Sequence, residues 1–381
     1  MTLFLLTFFL IYGSMHLYVF LKARSVFAFN TLASIVVALF MLAMIFAPVI
    51  VRLSERAGLE AFARLASYAG YMWLGILFLF ISVALVIDVY RLTVHASGVM
   101  LNKDLSSLSV SKNSAFFIPL SLALLFSIYG YFEAKDIRTE TIVIPTPKIP
   151  AETGRLRIVQ ISDVHIGLIM REERLRRILR HVKGANPDIL VSTGDLVDGQ
   201  LDNLSGLSEM LQEVRPRFGK YAVTGNHELY AGLGQAMNFT EKAGFRLLRG
   251  EAEIAAGSIV IAGVDDSQVK AAGLAPTITE TALLSGFPGD RFIMLLKHRP
   301  LIDPNSTGLF DLQLSGHVHK GQIFPFSIIT WFYYPTQAGL AQLSARSWLY
   351  VSRGSGTWGP PIRLLSPPEV TVIDLIHEDA D

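Results

Sequence analysis

Four stretches of this chain carry no Asp, Glu, Lys or Arg: Met1 to Leu21, Ser25 to Val51, Leu65 to Ile87 and Asn113 to Phe132. A helix needs about 20 residues to cross a hydrocarbon core of ~30 Å, so each stretch is long enough to span a bilayer. The alternative for any one of them is a buried core helix, the less common reading of such a run. Four in succession predict a four-helix transmembrane bundle over residues 1–132. The first stretch has no leading basic residues and is longer than the apolar run of a signal peptide, so it is expected to be a retained helix. Lys22 and Arg24 punctuate the first hairpin, and Pro48 and Pro119 fall inside spans, where a bundle tolerates a kink. Tyr68, Tyr71 and Trp73 suit an interfacial belt. An even number of crossings puts the N-terminus and the long C-terminal part on the same side. Arg52, Arg56, Arg64, Lys135 and Arg138 on that side balance Lys22, Arg24, Arg91, Lys103 and Lys112 on the other, so the positive-inside rule sets no orientation. Asp88 and His16 are read as helix-packing or interfacial groups with no further role.

The pattern changes after Phe132. Residues 133–155 read as a linker, with Pro145, Pro147 and Pro150 keeping Thr141 to Pro150 extended. From Leu156, apolar runs alternate with amphipathic stretches: Ile158 to Ser162, a helical pattern from Glu172 to Val182, Ile189 to Ser192, a helical pattern from Leu204 to Val214, then Tyr221 to Thr224. This is β-α-β-α-β, a sheet covered by helices, in a domain expected over 156–381. Further strands are predicted at Ser258 to Ala262, Phe292 to Leu296, Leu312 to Leu314, Trp348 to Val351 and Val370 to Asp374, with little helix between them.

Composition agrees with the division. Hydrophobic residues make up 51% and charged residues 17%, too apolar for one soluble globule. Residues 1–132 hold 8 Lys or Arg and 4 Asp or Glu, whereas the remainder holds 25 and 28. The second part is therefore slightly acidic, which disfavours a nucleic-acid partner. With no cysteine at all, disulfide scaffolds, zinc–thiolate sites, iron–sulfur clusters and thiol catalysis are excluded.

Potential metal ligands fall where the predicted strands end. Asp163 and His165 follow the first strand, Asp195 the second, Asn226 and His227 the third. His298 follows the Phe292 strand, and His317 and His319 follow the Leu312 strand. Ligand sites in open α/β sheets gather at strand carboxyl ends. A single histidine beside a strand is commonly a satisfied polar group. Five of the nine histidines, with two aspartates and an asparagine at equivalent points, predict a site instead. Carboxylate, imidazole and amide donors suit Mn²⁺, Fe or Zn²⁺ better than Ca²⁺, and eight donors imply two divalent ions. Gly194, Gly225 and Gly316 precede ligands and allow sharp exits from the strands.

The blocks Asp163-Val164-His165, Gly194-Asp195-Leu196-Val197-Asp198, Gly225-Asn226-His227-Glu228, His298 and Gly316-His317-Val318-His319 occur in an order that resembles the calcineurin-like metallophosphoesterases, over about residues 156 to 376. The resemblance implies a two-sheet αββα sandwich in which Asp163, His165 and His319 hold one metal and Asn226, His298 and His317 the other. It also implies that Asp195 bridges the ions, that His227 acts on substrate without binding metal, and that Asp198 supports the ligands. The segment from Tyr350 to Pro361 is similar to a bacterial membrane-associated branch that includes phosphodiesterases and diacylated UDP-sugar pyrophosphatases. Val318 and Lys320 depart from the pattern, which has a small hydroxyl residue and Gly there. Neither is a ligand, and Lys320 reads equally as a phosphate contact and as a solvated side chain.

The expected function is hydrolysis of a phosphodiester or pyrophosphate, a lipid-linked substrate being one option, by a multi-pass protein of the cell membrane whose catalytic domain faces the cytoplasm. Mn²⁺ is the preferred metal. Two rivals stand beside it: a nucleotide phosphodiesterase or nuclease, and an inactive membrane sensor, transporter or scaffold. Filled ligand positions weigh against the second. One further run bears on substrate: Ile323 to Tyr334 is as apolar as a span but too short to cross, and no charged residue lies between Gln322 and Arg346. It is expected either as a core strand with its turn or as an interfacial loop that guides acyl chains.

Overall fold

A computed structural model describes residues 2–199, 204, 206–276 and 278–379. Met1, Ser205 and residues 380–381, which belong to the first predicted span, the 204–214 helical pattern and the expected 156–381 domain, lie outside the described residues. The chain divides into two compact units: residues 1–132 with Gly359–Ile362, and residues 133–358 with 363–381.

The first unit is helical: α1 (Thr2–Phe27), α2 (Thr31–Ile45), α3 (Ala47–Arg56), α4 (Glu60–Leu101) and most of α5 (Ser114–Glu133). Among the described residues, α1, α4 and α5 are long and apolar enough to cross a membrane, and the pair α2–α3, bent by 56°, makes a fourth candidate if counted as one span. The bend sits at Phe46, where Pro48 in the first turn of α3 cannot continue the hydrogen-bond ladder of α2. Helix α4 runs far beyond the charge-free stretch 65–87: its 42 residues make a rod of ~63 Å at 1.5 Å per residue. Helix propagation does not require apolar side chains, so charge-free segments underestimate helix length. Leu10, Leu39, Val86 and Met100 are all exposed by more than 60%. Such outward apolar surface suits lipid rather than water. Asp88 accepts from Tyr18 at 2.7 Å and Lys22 at 2.8 Å, and Trp73 donates to His16 Nε2 at 2.8 Å. Both polar groups thus cross-link helices.

The second unit is built on strands β1 (Arg138–Thr146), β2 (Arg155–Ile161), β3 (Ile189–Ser192), β4 (Lys220–Ala222), β5 (Arg246–Leu247), β6 (Glu251–Ala255), β7 (Ile259–Gly263), β8 (Phe292–Leu296), β9 (Leu312–Ser315), β10 (Gly339–Gln342), β11 (Trp348–Val351) and β12 (Glu369–His377). They form two six-stranded sheets, ordered β1-β12-β2-β3-β4-β5 and β10-β11-β9-β8-β7-β6. Helices α6 (Glu172–Ala185), α7 (Leu207–Gln212), α8 (Asn226–Ala231) and α9 (Leu233–Lys242) occur among the strands of the first sheet. Helices α10 (Ser267–Ala271), α11 (Glu280–Leu284) and α12 (Phe326–Tyr333) follow.

Alternation along each strand makes the layers. In β2, Leu156 and Ile158 enter a core shared with Ile261, Met294 and Leu314 of the other sheet, while Val159 and Ile161 pack with Leu175, Ile178 and Val182 of α6. Val260, Ala262, Ile293 and Leu295 face the opposite way, onto Leu283 and Leu284 of α11. The result is two mixed sheets face to face with helices outside, the period-two pattern written in three dimensions.

Two expectations change. The linker's Arg138–Thr146 is a nine-residue edge strand, pairing parallel with β12 from Arg138↔Glu369 to Thr146↔His377. Prolines kept it from reading as a strand, yet an edge position tolerates Pro145 because one side of the strand needs no donor. The run Ile323 to Tyr334 contributes neither a core strand nor a loop but helix α12, which buries none of its residues.

Candidate metal centre

Every block of potential ligands lies just beyond a strand of the two central arrays. Asp163 and His165 follow β2, Asp195 follows β3, Asn226 and His227 open α8 after β4, His298 follows β8, and His317 and His319 follow β9. Because β2, β3 and β4 are mutually parallel, as are β7, β8 and β9, their carboxyl ends collect on one edge of each sheet. Five of these residues occupy the left-handed region: Asp163, His165, Asp195, His317 and His319, with φ between 50° and 70°. That conformation costs of order 1–3 kcal/mol per non-glycine residue and collects at functional sites. The glycines play a different part from the one expected. Gly194, at φ 95°, does make a left-handed exit, but Gly225 lies at φ −104°. Gly225 and Gly316 provide close approach: a Cβ on the first would strike Asp195, and a Cβ on the second would strike Ser162 and Asp163.

The donor atoms converge in overlapping groups: Asp163, His165 and His319; His165, Asp195 and His227; Asp195, His298 and His317. His165 Nε2 lies 3.1 Å from His319 Nε2, and His317 Nδ1 lies 3.1 Å from His298 Nε2. Two ligands held at right angles by one ion, at about 2.1 Å each, stand about 3 Å apart, so both pairs have the separation of neighbouring ligands. Asp195 Oδ2 is 3.2 Å from His298 Nε2 and 3.9 Å from His165 Nε2, so one carboxylate reaches towards both imidazole pairs. His319 Nε2 is 3.4 Å from Asp163 Oδ1. His298 Nδ1 lies 2.8 Å from the Thr193 carbonyl, a donor position that leaves Nε2 with its lone pair turned into the cluster. Asn226 Oδ1 accepts from Arg299 Nη2 at 3.2 Å and keeps a second lone pair.

The electrostatics call for positive charge. Asp163 and Asp195 are 0% and 2% exposed, and buried carboxylates persist only when paired or bound to metal. Burial pushes the Asp163 carboxyl up. Burial also opposes the ionised form of Asp195, yet His298 and His227 hold it well below the usual carboxylate range. Burial works against the protonated form of His298, but Asp195, with Asp163 and Asp266 behind it, together raise it to about 10. His317 is pushed down to about 2 by burial and by the charges of His298 and Arg299. Acidic groups that raise one imidazole while its neighbour is suppressed make a cluster suited to cations, and its oxygen and nitrogen donors fit divalent transition ions.

His227 sits at the edge of the cluster. Its Nδ1 is 2.9 Å from the Asp198 carbonyl and 3.0 Å from Asp198 Oδ1, and its backbone N–H donates to Asp195 Oδ1 at 2.8 Å. Burial lowers its basicity, but Asp195 and the hydrogen bond to Asp198 raise it to about 10. Asp198 also stands 3.3 Å from His165 Nδ1, so it lies between two imidazoles.

Three contributors had no role assigned from sequence. Glu228 is buried and accepts backbone N–H groups from Gly225 at 2.7 Å, Leu196 at 2.8 Å and Asp195 at 3.0 Å, locking two strand exits together. Its place in the Gly225–Glu228 block was the available signal. Arg299, next to His298, binds Asp266 at 2.7 Å while touching Asn226. Arg363 is fully buried, donates to the carbonyls of Arg353 and Gly356 at 2.6 Å each, and lies 3.0 Å from His319 Nδ1. Nothing in its neighbourhood of sequence marks it. Lys320, at φ 50° beside His319, is partly exposed.

Two parallel strand arrays that present buried carboxylates and paired imidazoles on one rim define a metal-dependent phosphoric ester hydrolase. Residues 156–321 match the calcineurin-like phosphoesterase family. The chain belongs to the metallophosphoesterases, a family that uses a dinuclear divalent metal centre. It is 42% identical over 256 residues to an uncharacterized metallophosphoesterase of Aquifex aeolicus, covering 67% of this chain and 97% of that protein. It is 31% identical over 277 residues to a Danio rerio transmembrane protein with a metallophosphoesterase domain, covering 68% of this chain and 62% of that one. An uncharacterized metallophosphoesterase of Bacillus subtilis is 32% identical over 263 residues, 65% of this chain and 89% of its own length.

Proposed function

We propose that this protein is a membrane-anchored hydrolase of phosphodiesters or pyrophosphates whose substrate is lipid-linked. The observation that carries the hydrolytic reading is the pair of facing imidazole couples, each 3.1 Å apart, with Asp195 between them. In this reading Asp163, His165 and His319 hold one ion, Asn226, His298 and His317 hold the other, and Asp195 serves both. Mn²⁺ is the preferred ion, with Fe or Zn²⁺ also suited to the donors. Two divalent ions supply Lewis acidity and lower the pKa of water.

The chain's own groups do the rest. Ser162 and the His317 N–H both donate to the Asp163 carboxylate, fixing its orientation. Glu228 holds the Asp195 and Gly225 turns at a set separation through their N–H groups. His227, with Nδ1 engaged by Asp198, presents Nε2 to substrate as the proton donor to the leaving oxygen, a contribution of about 10²–10⁴ in rate. Lipid linkage is supported by the spanning-length helices in the same chain and by the named transmembrane relative. In this reading residues 1–132 anchor the protein and 133–381, with β1 at the edge of its first sheet, form the catalytic unit, on the cytoplasmic side, where nucleotide-linked lipid precursors are found. A screen of nucleotide-linked lipids, glycerophosphodiesters and phosphomonoesters with purified full-length protein tests the proposal. Turnover of phosphomonoesters alone would overturn the diester and pyrophosphate assignment.

A further inference from the structure

Helix α12 carries its polarity inside out. Its two aliphatic hydroxyl residues, Ser327 and Thr330, lie on the half-buried side. Gly321 leaves room for the Ser327 backbone, and the Ser327 carbonyl accepts from Thr330 Oγ1 at 3.1 Å and Gln337 Nε2 at 2.6 Å. The large apolar side chains point outwards. Trp331 is 54% exposed, Phe332 73% and Tyr333 75%, and Phe324, Phe326, Ile328 and Ile329 extend the patch. A surface helix in water shows the reverse arrangement. A contiguous exposed apolar patch marks an interaction surface.

We propose that α12 lies in the headgroup–acyl boundary of a lipid bilayer, and that Tyr334 couples this contact to the metal centre. The occupant follows from three features. Spanning-length helices in the same chain put a bilayer within reach. No charged residue occurs between Lys320 and Arg346, whereas Trp and Tyr, the residues suited to the lipid–water boundary, cluster here. An eight-residue helix is ~12 Å long and too small for the ~800 Å² per partner of a stable protein interface, but a bilayer needs no such area. The coupling follows from Tyr334, the residue that caps α12. Its hydroxyl accepts from Arg299 Nη1 at 3.3 Å and its ring centroid is 5.6 Å from that of His317, while Arg299 reaches Asn226 Oδ1. The coupling rests on the metal-centre reading; the seating of α12 does not.

The lack of cysteine makes the test clean. Full-length Phe332→Cys and Ile329→Cys variants, spin-labelled in vesicles of phosphatidylethanolamine and phosphatidylglycerol, should collide several times more with oxygen than with a water-soluble nickel chelate. A label at Glu241→Cys, exposed on α9, should show the opposite preference. Nickel-dominated collisions at both α12 positions, or shielding from both reagents, would overturn the seating. For the coupling, Trp331→Ser/Phe332→Ser should slow a vesicle-borne phosphodiester about tenfold more than bis(p-nitrophenyl) phosphate, with bound metal unchanged. Equal effects on the two substrates would overturn the coupling while leaving the hydrolase standing. Absence of hydrolysis by the unmodified protein would strike the hydrolase reading and leave the depth measurement intact.

Discussion

At the residue scale, roles separate by which atoms each side chain can share. Asp195 faces both imidazole couples, so Asp195→Asn should lower bound metal and turnover together, read by elemental analysis and by hydrolysis of a p-nitrophenyl phosphodiester. His227→Asn should keep its metal yet lose about 10²–10⁴ in kcat, the range of a removed general acid. Equal metal loss in the two variants would show that His227 is a ligand. The pH response follows from the same geometry. Burial works against the His227 imidazolium, but in the metal-free site Asp195 and Asp198 hold it up to about 10; with cations on Asp195 the pull of Asp198 remains, so the proton-donating form is expected at neutral pH and is lost as pH rises, below that value. Asp198→Asn removes one of those anions and should move the basic limb of the kcat profile to lower pH. An unmoved limb would detach the proton donor from His227.

At the scale of elements, the site depends on strand exits that cross one another at contact distance. A Cβ on Gly225 would lie 2.7 Å from the Asp195 backbone nitrogen and 2.8 Å from its carboxyl carbon, neither of which is the free end of a flexible chain. Gly225→Ala is therefore expected to displace the carboxylate, lower metal occupancy, and cost about 1–3 kcal/mol in stability through overpacking. Gly184, on α6, has no neighbour within 4 Å of an added Cβ and does not carry a positive φ, so Gly184→Ala is the matched control. Thermal unfolding and metal analysis on the two variants distinguish steric loss at the site from a general effect of alanine.

At the scale of the whole molecule, each unit has its own cohesive device. In the helical unit, Lys22 and Asp88 pair at 2.8 Å, with Tyr18 on the same carboxylate. Lys22→Met removes the cation hydrogen-bonded to Asp88 and should cost about 1.5–3 kcal/mol, whereas Lys22→Met with Asp88→Leu should recover much of the loss. Thermal inactivation in detergent measures both. In the catalytic unit, chelation should abolish hydrolysis, and Mn²⁺ should restore it. Because ligating imidazoles must be neutral, metal occupancy should fall as pH falls and protons should be released on loading, measurable by titration in weak buffer. Full activity with metal absent by elemental analysis would remove the dinuclear mechanism.

What the sequence determines by itself is local. Charge-free runs set where helices suit a bilayer, apolar runs set most strands of the two sheets, and donors follow within a few residues of the ends of β2, β3, β4, β8 and β9, because pattern and turn chemistry act over a few positions. Tertiary structure decides what these positions meet. His165 and His319 are 154 residues apart in sequence and 3.1 Å apart in space, a contact made by sheet order and parallel register. The proline-rich Arg138–Thr146 becomes a strand because β12 offers it an edge. Arg363 reaches His319 through a loop that no local pattern announces. Helix α12 was legible as an apolar run, with core strand and interfacial loop both open, but not as a helix, since hydrophobicity states what a segment avoids in water and only packing reveals whether protein covers it.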